Sequence, residues 1–289
     1  MIDRRGVLLG CAALSVAAGL RAQEPDDPNA ALLGLRERLG AGGRLGVAAW
    51  DGGERRIEFD ANGRYALCST FKLPLAAAML AGAELERWPL TEELPFGEED
   101  LLDYAPVTRA NVAQGRMTIE ALCGAILEVS DNTAANLLLA KLGGPEALTG
   151  FIRRCADRVT RLDRTEPDLN TNFPDDGRDT TTPAAMLALT YTLVFGEVLS
   201  LESRRRLARW MARSSTGRER LRAGFPPDWR AGDKTGTGAN GAHNDIAFAL
   251  RPGLPPVLVT CYISGGDAPA EMRNTIHAEI GRLVARTFA

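Results

Sequence analysis

The chain has 289 residues, 45% hydrophobic and 25% charged, which is close to ordinary globular usage and enough for one large core or two intimate subdomains. Disordered and collagen-like readings are thereby excluded. The formal net charge of -3 and a pI near 5.6, with no Lys/Arg-rich block, exclude the basic surface that nucleic-acid binding requires.

Residues 1–22 read as an export signal: Arg4 and Arg5 precede an apolar run over 6–20, and Ala22 can end a small-residue cleavage site. Arg4-Arg5-Gly6-Val7-Leu8 suits the twin-arginine route as well as the ordinary secretory one. Leu8-Leu9-Gly10-Cys11 has the look of a lipoprotein cleavage box. The apolar run continues past that cysteine to Leu20, however, which favours a small residue within a signal. No later stretch approaches the ~20 apolar residues of a membrane span. The expectation is an exported protein, periplasmic or secreted, free of the membrane once the signal is cleaved. Cys68, Cys123, Cys155 and Cys261 remain; their spacing matches no zinc pattern, and buried free thiols are expected.

Residues 28–39 have helical spacing, with Leu32, Leu35 and Leu39 on one stripe. Strand-like runs at 44–50 and 54–59 flank Asp51-Gly52-Gly53, a hairpin pattern with a glycine-rich turn. From 69 to 141 the pattern is helical, and Gly143-Gly144 supplies a stop. Strand signals return at 228–234, 245–250 and 257–263. The last segment reads as an amphipathic helix capped by Asp267, with Met272, Ile276, Ile280 and Leu283 on its apolar face. Both ends of the chain thus share one style. They predict a discontinuous α/β domain, 23–63 with 213–289, whose antiparallel sheet is flanked by helices, interrupted by an all-α domain over 64–212.

Four short motifs punctuate this frame. Ser69-Thr70-Phe71-Lys72 places a hydroxyl and an amine three residues apart, on one face of a helix whose free N–H groups favour developing negative charge. A serine nucleophile needs a base. The chain holds only two histidines, His243 and His277, so lysine or glutamate must serve. Alone, S-x-x-K is common by chance. Ser130-Asp131-Asn132 interrupts two helical runs, where small polar residues also cap helices. Glu166-Pro167-Asp168-Leu169-Asn170 lies in the polar segment 161–179. There a carboxylate holding water beside an acyl ester supplies general-base catalysis worth about 100- to 10,000-fold, with Glu166 as base and Asn170 as its partner. A solvated loop acid is the plain alternative. Lys234-Thr235-Gly236-Thr237 sits on a strand-like segment; an edge strand with glycine at 236 can bond an extended ligand, and the Thr237 and Ser69 backbone N–H groups can hold an oxyanion.

In this order the four motifs resemble the class A serine β-lactamases, and the resemblance covers nearly all of the chain after the signal. It implies the two-domain serine β-lactamase/penicillin-binding-protein-like fold, with 161–179 as the Ω-loop. The implied activity is hydrolysis of penicillins and cephalosporins through an acyl-enzyme on Ser69, conferring antibiotic resistance, with no metal or organic cofactor and a monomeric enzyme. The family pattern makes Ser69, Lys72, Ser130 and Glu166 catalytic. Ser130 protonates the leaving nitrogen, Asn132 and Asn170 bind substrate and water, and Asp131 holds the turn. Lys234, Thr235, Gly236 and Thr237 line the carboxylate side. Tyr104 matches the aromatic wall, and Arg220 matches one family location of the carboxylate-binding arginine, another being His243 here. Arg164 and Asp179 match the pair closing the loop's neck, and relatives have a cis bond before Pro167. Two family disulfides lack a partner, since Ala76 and Gly238 stand opposite Cys123 and Cys68. The rivals are a D,D-peptidase, which needs no Glu166, and a β-lactam sensor domain, which needs a tether and a relay.

Overall fold

The computed structural model describes residues 27–289, so the export signal proposed for 1–22 lies outside the described residues. Five strands form one antiparallel sheet: β1 (Arg44–Trp50), β2 (Arg56–Phe59), β3 (Arg230–Thr237), β4 (His243–Leu250) and β5 (Val257–Ser264), in the order β2-β1-β5-β4-β3. The chain's two ends therefore interleave. β1 pairs with β5 along its whole length, with Val47 opposite Cys261, and β3 is left as an edge strand.

The three central strands β1, β5 and β4 bury both faces because each face meets helices, whereas the edge strand β2 leaves Arg56 and Glu58 exposed. Val47, Ala49, Val259 and Cys261 pack with Leu32 and Leu35 of the helix Pro28–Glu37 and with Ile276 and Ile280 of the helix Ala270–Phe288. Ala48, Ile246, Phe248, Leu258 and Tyr262, on the opposite face, join the large core of the intervening helices. This alternation explains why the strands read as near-continuous apolar runs rather than as in-out patterns. The helix Lys72–Glu84 runs through that core and is buried on nearly every side, from Leu73 to Leu80, as an all-apolar helix must be.

Three expectations are corrected. The segment 69–141 is not one helical stretch: helices span Lys72–Glu84, Pro106–Asn111, Ile119–Glu128 and Asn132–Leu142, and Glu93–Pro95 pairs with Arg116–Thr118. With a second two-residue ladder, Tyr65–Ala66 on Thr180–Thr181, the segment 64–212 is mostly rather than purely helical. Asp267 does not cap the last helix, which begins at Ala270 after Pro269; Asp267 N instead donates to Leu39 O at 3.1 Å, docking the turn on the first helix's end. β3 carries the Lys234-Thr235-Gly236-Thr237 motif on a strand, as its segment read, and the ladder to β4 holds it through Thr237. The expected stop is present: Gly143, at φ +107°, closes the helix Asn132–Leu142 through bonds to Leu139 O and Ala140 O. The four cysteines are buried and unpaired. No helix among the described residues is long and apolar enough to cross a membrane.

Candidate active site

Ser69 sits where a tight turn, Cys68–Phe71, feeds the buried helix Lys72–Glu84. Cys68, at φ +44°, makes the sharp entry, and burial pushes its thiol up to about 12, away from reactivity. β3 presses directly on this turn: a Cβ at Gly236 would stand 2.9 Å from Leu67 O and 3.1 Å from Cys68 Cβ, so only glycine permits the approach. That contact brings the backbone of Thr237 beside Ser69.

Around Ser69 the polar groups converge. Lys72 Nζ stands 2.9 Å from Ser69 Oγ, 2.9 Å from Ser130 O, 2.5 Å from Asn132 Oδ1 and 2.9 Å from Glu166 Oε1, and its side chain is fully buried. Burial lowers its pKa below the ordinary lysine value, with the Glu166 charge opposing. Ser69 Oγ donates to Glu166 Oε1 at 3.3 Å, and Asn170 Nδ2 donates to Glu166 Oε2 at 2.6 Å. Asn170 Oδ1 is buried with no hydrogen-bond partner, an open acceptor next to the acid. Ser130, at φ +64°, has its Oγ 3.0 Å from Lys234 Nζ and 3.4 Å from Lys72 Nζ. Lys234 is lowered further, by burial and by Lys72.

A cleft of about 330 Å³ opens over these groups, lined by Ser69, Tyr104, Ser130, Asn132, Asn170, Thr216, Arg220, Thr235 and Thr237. Tyr104 is half exposed at its mouth, and its carbonyl accepts from Asn132 N. Arg220 is buried; its Nη1 donates to Gly236 O and Asn244 O, while Nη2 reaches Thr237 Oγ1 at 2.8 Å. His243 is not among the lining residues, and its ring packs against His277 in a tilted arrangement at a 5.2 Å centroid distance. Arg222 is likewise spent elsewhere, on Asp233 at 2.9 Å.

Asp131 caps the helix Asn132–Leu142 through Ala134 N and also accepts from Val107 N and Thr108 N, so the same residue joins two helices and fixes the Ser130 turn. The Glu166–Pro167 bond is cis. At the loop's neck Arg164 Nε meets the fully buried Asp179 Oδ2 at 2.6 Å, and Asp179 Oδ1 takes the backbone N–H groups of Asp163 and Arg164.

Two neighbours escaped the sequence reading. Asn136 accepts from Glu166 N at 3.0 Å and donates to Glu166 O at 2.9 Å, pinning the acid's backbone to a helix. Its only local signal is its place one turn after Asn132. Thr216 Oγ1 lies 2.6 Å from Thr235 Oγ1 in the cleft lining, with no motif to mark it.

A buried lysine, two serines and a loop carboxylate around a cleft bordered by an edge strand define a serine acyl-transfer site. The model of the Beta-lactamase enzyme family matches residues 35–288. Beta-lactamase L2 of Stenotrophomonas maltophilia is 46% identical over 247 residues, covering 84% of this chain and 81% of that protein. A beta-lactamase of Mycobacterium tuberculosis is 46% identical over 253 residues, covering 85% and 81%. Among solved structures, an ancestral (GNCA) class A beta-lactamase superposes with a TM-score of 0.88 at 50% identity, covering 90% of this chain and 100% of that one. The chain belongs to the class A β-lactamase family.

Proposed function

We propose that this β-lactamase opens the lactam amide in two steps divided between the groups described above. Ser69 Oγ bonds to the lactam carbonyl carbon, its proton passing to the Lys72–Glu166 pair, which acts as one unit because the two groups lie 2.9 Å apart and both reach the serine. The Ser69 and Thr237 backbone N–H groups hold the oxyanion. The C–N bond then breaks, and Ser130, fed by Lys72 and Lys234, delivers a proton to nitrogen. In the second step Glu166 takes a proton from water steadied by Asn170; the hydroxide adds to the ester carbonyl, the C–O bond to Ser69 breaks, Ser69 Oγ takes that proton back from the Lys72–Glu166 pair, and a penicilloate-type acid leaves. Arg220, Thr235 and Thr237 receive the substrate carboxylate, Asn132 its side-chain amide, and Tyr104 walls the mouth.

The observation that carries this reading is the Glu166 carboxylate 3.3 Å from Ser69 Oγ, beside the unpartnered Asn170 Oδ1. A D,D-peptidase or a sensor has no use for such a base. Mass spectrometry after mixing with a penicillin tests it: wild type shows a fleeting adduct or none, and Glu166→Ala accumulates one on Ser69. A lasting wild-type adduct would favour either rival. The enzyme is further proposed to be exported through residues 1–22, to act as a monomer in the periplasm or outside the cell, and to divide at 63/64 and 212/213 into its two domains.

A further inference from the structure

The far end of the Ω-loop meets the turn between β3 and β4 through side chains that no chemical step uses. Asn172 Nδ2 donates to Asn240 O at 2.9 Å and to Ser264 Oγ at 3.0 Å, and Ser264 Oγ lies 3.2 Å from Asn172 Oδ1. Asn240 Nδ2 donates in return to Thr171 O at 2.8 Å. Each asparagine thus grips the other segment's main chain. Both have left-handed backbones, φ +50° and +48°, which asparagine tolerates better than most side chains. The backbone closes the same seam, with Ala239 N donating to Asn170 O at 2.8 Å.

This clasp lies two residues beyond Asn170, whose side chain holds Glu166. At the other end of the loop Arg164 binds Asp179 and also reaches Thr171 Oγ1 at 3.1 Å. The Asp168–Asn170 turn is therefore held at the neck and at the clasp. Asn240 is exposed and Asn172 half-buried, so these bonds contribute little to global stability and act on position.

We infer that Asn172 and Asn240 are positioning residues for deacylation: their clasp keeps the Ω-loop in register with the β3–β4 turn, and with it Glu166 and Asn170 over the Ser69 ester. The inference rests on the reading in which Glu166 and Asn170 prime the hydrolytic water. Its test uses Asn172→Gly and Asn240→Gly, because glycine accepts the positive φ without strain while removing the amide. Rapid-quench mass spectrometry with benzylpenicillin is expected to show deacylation about tenfold slower and acylation unchanged. Once deacylation limits turnover, kcat and KM fall together and kcat/KM holds, whereas a loss of folded enzyme lowers kcat and leaves KM alone. The double variant is expected to be no slower than either single one, since each breaks the same clasp.

Wild-type deacylation in both glycine variants, or equal slowing of both steps, overturns the inference. Glu166→Ala run alongside separates the two levels. An adduct trapped there, with normal deacylation in the glycine variants, defeats the clasp and leaves the base standing; free turnover in Glu166→Ala removes the base and the clasp's role with it.

Discussion

Ser69, Lys72 and Lys234 stand on a helix entry and a sheet strand whose surroundings are apolar and buried, whereas Glu166 and Asn170 stand on a loop fastened by side-chain hydrogen bonds. The groups to which acylation is assigned in the proposed function thus inherit their positions from the core, through many weak contacts that share any disturbance. Those to which deacylation is assigned depend on a few directional bonds from Asn136, Asp179, Asn172 and Asn240. The contrast says that single polar substitutions separate the two chemical steps at the loop and not at the floor.

The largest effect belongs to the floor. Ser69→Ala is expected to lose on the order of a millionfold in turnover, because no other group can carry the acyl, and stopped-flow assay with a chromogenic cephalosporin reads it. No acyl adduct forms. At the loop neck, Asp179→Asn removes the shorter and buried of the two carboxylate contacts of Arg164, leaving Asp176 at 3.4 Å, and is expected to slow deacylation about tenfold to a hundredfold while acylation changes far less. Equal loss in both steps would erase the distinction between floor and loop.

A smaller effect is expected at Asn136. Asn136→Ala strips two hydrogen bonds from the Glu166 backbone and should cost about 1–3 kcal/mol in urea unfolding, with deacylation again the step that slows. Unaltered stability would mean that water replaces the amide.

The gentlest test lies where the last helix packs on the sheet, away from the loop. Burial holds His277 at a pKa of about 3, below the ordinary histidine value near 6.5, while its Nε2 meets His243 O at 3.1 Å. Below pH 6.5 the unfolded chain binds a proton that the folded chain refuses, so stability falls as pH drops from about 6.5 towards 3, by at most about 1.4 kcal/mol per pH unit. Relative to His277→Gln, wild type should lose stability along that limb in denaturant unfolding between pH 7 and 4. Parallel curves for the two proteins would refute the assignment.

The legible parts of this molecule were those with local signals. The hairpin around Asp51-Gly52-Gly53, the Gly143 stop and the apolar face of the last helix follow from turn chemistry and periodicity, and each is present where those signals lie. Of the candidate residues, the cleft gathers Ser69, Tyr104, Ser130, Asn132, Asn170, Arg220, Thr235 and Thr237 around its lining, with Lys72, Glu166 and Lys234 buried behind it. What stayed hidden was polar and long-range. Asn136, Thr216, Asn172 and Asn240 follow no apolar period, and their partners lie far along the chain or across a loop. Asp267 misled for the same reason: its local look is that of a cap, but Leu39 O, distant in sequence, decides its place.

By itself the sequence determined which chemical groups are present and how they stand within a single turn, as with Ser69 and Lys72, because helical geometry links residues three apart whatever surrounds them. Only the tertiary structure decided that Ser130, Glu166 and Lys234 meet that pair, and that Arg220 rather than His243 faces the cleft. The reason is physical: segments distant in the chain are positioned by the cores on the two faces of the sheet and by the polar bonds that fasten the loop, and neither is a property of any local stretch.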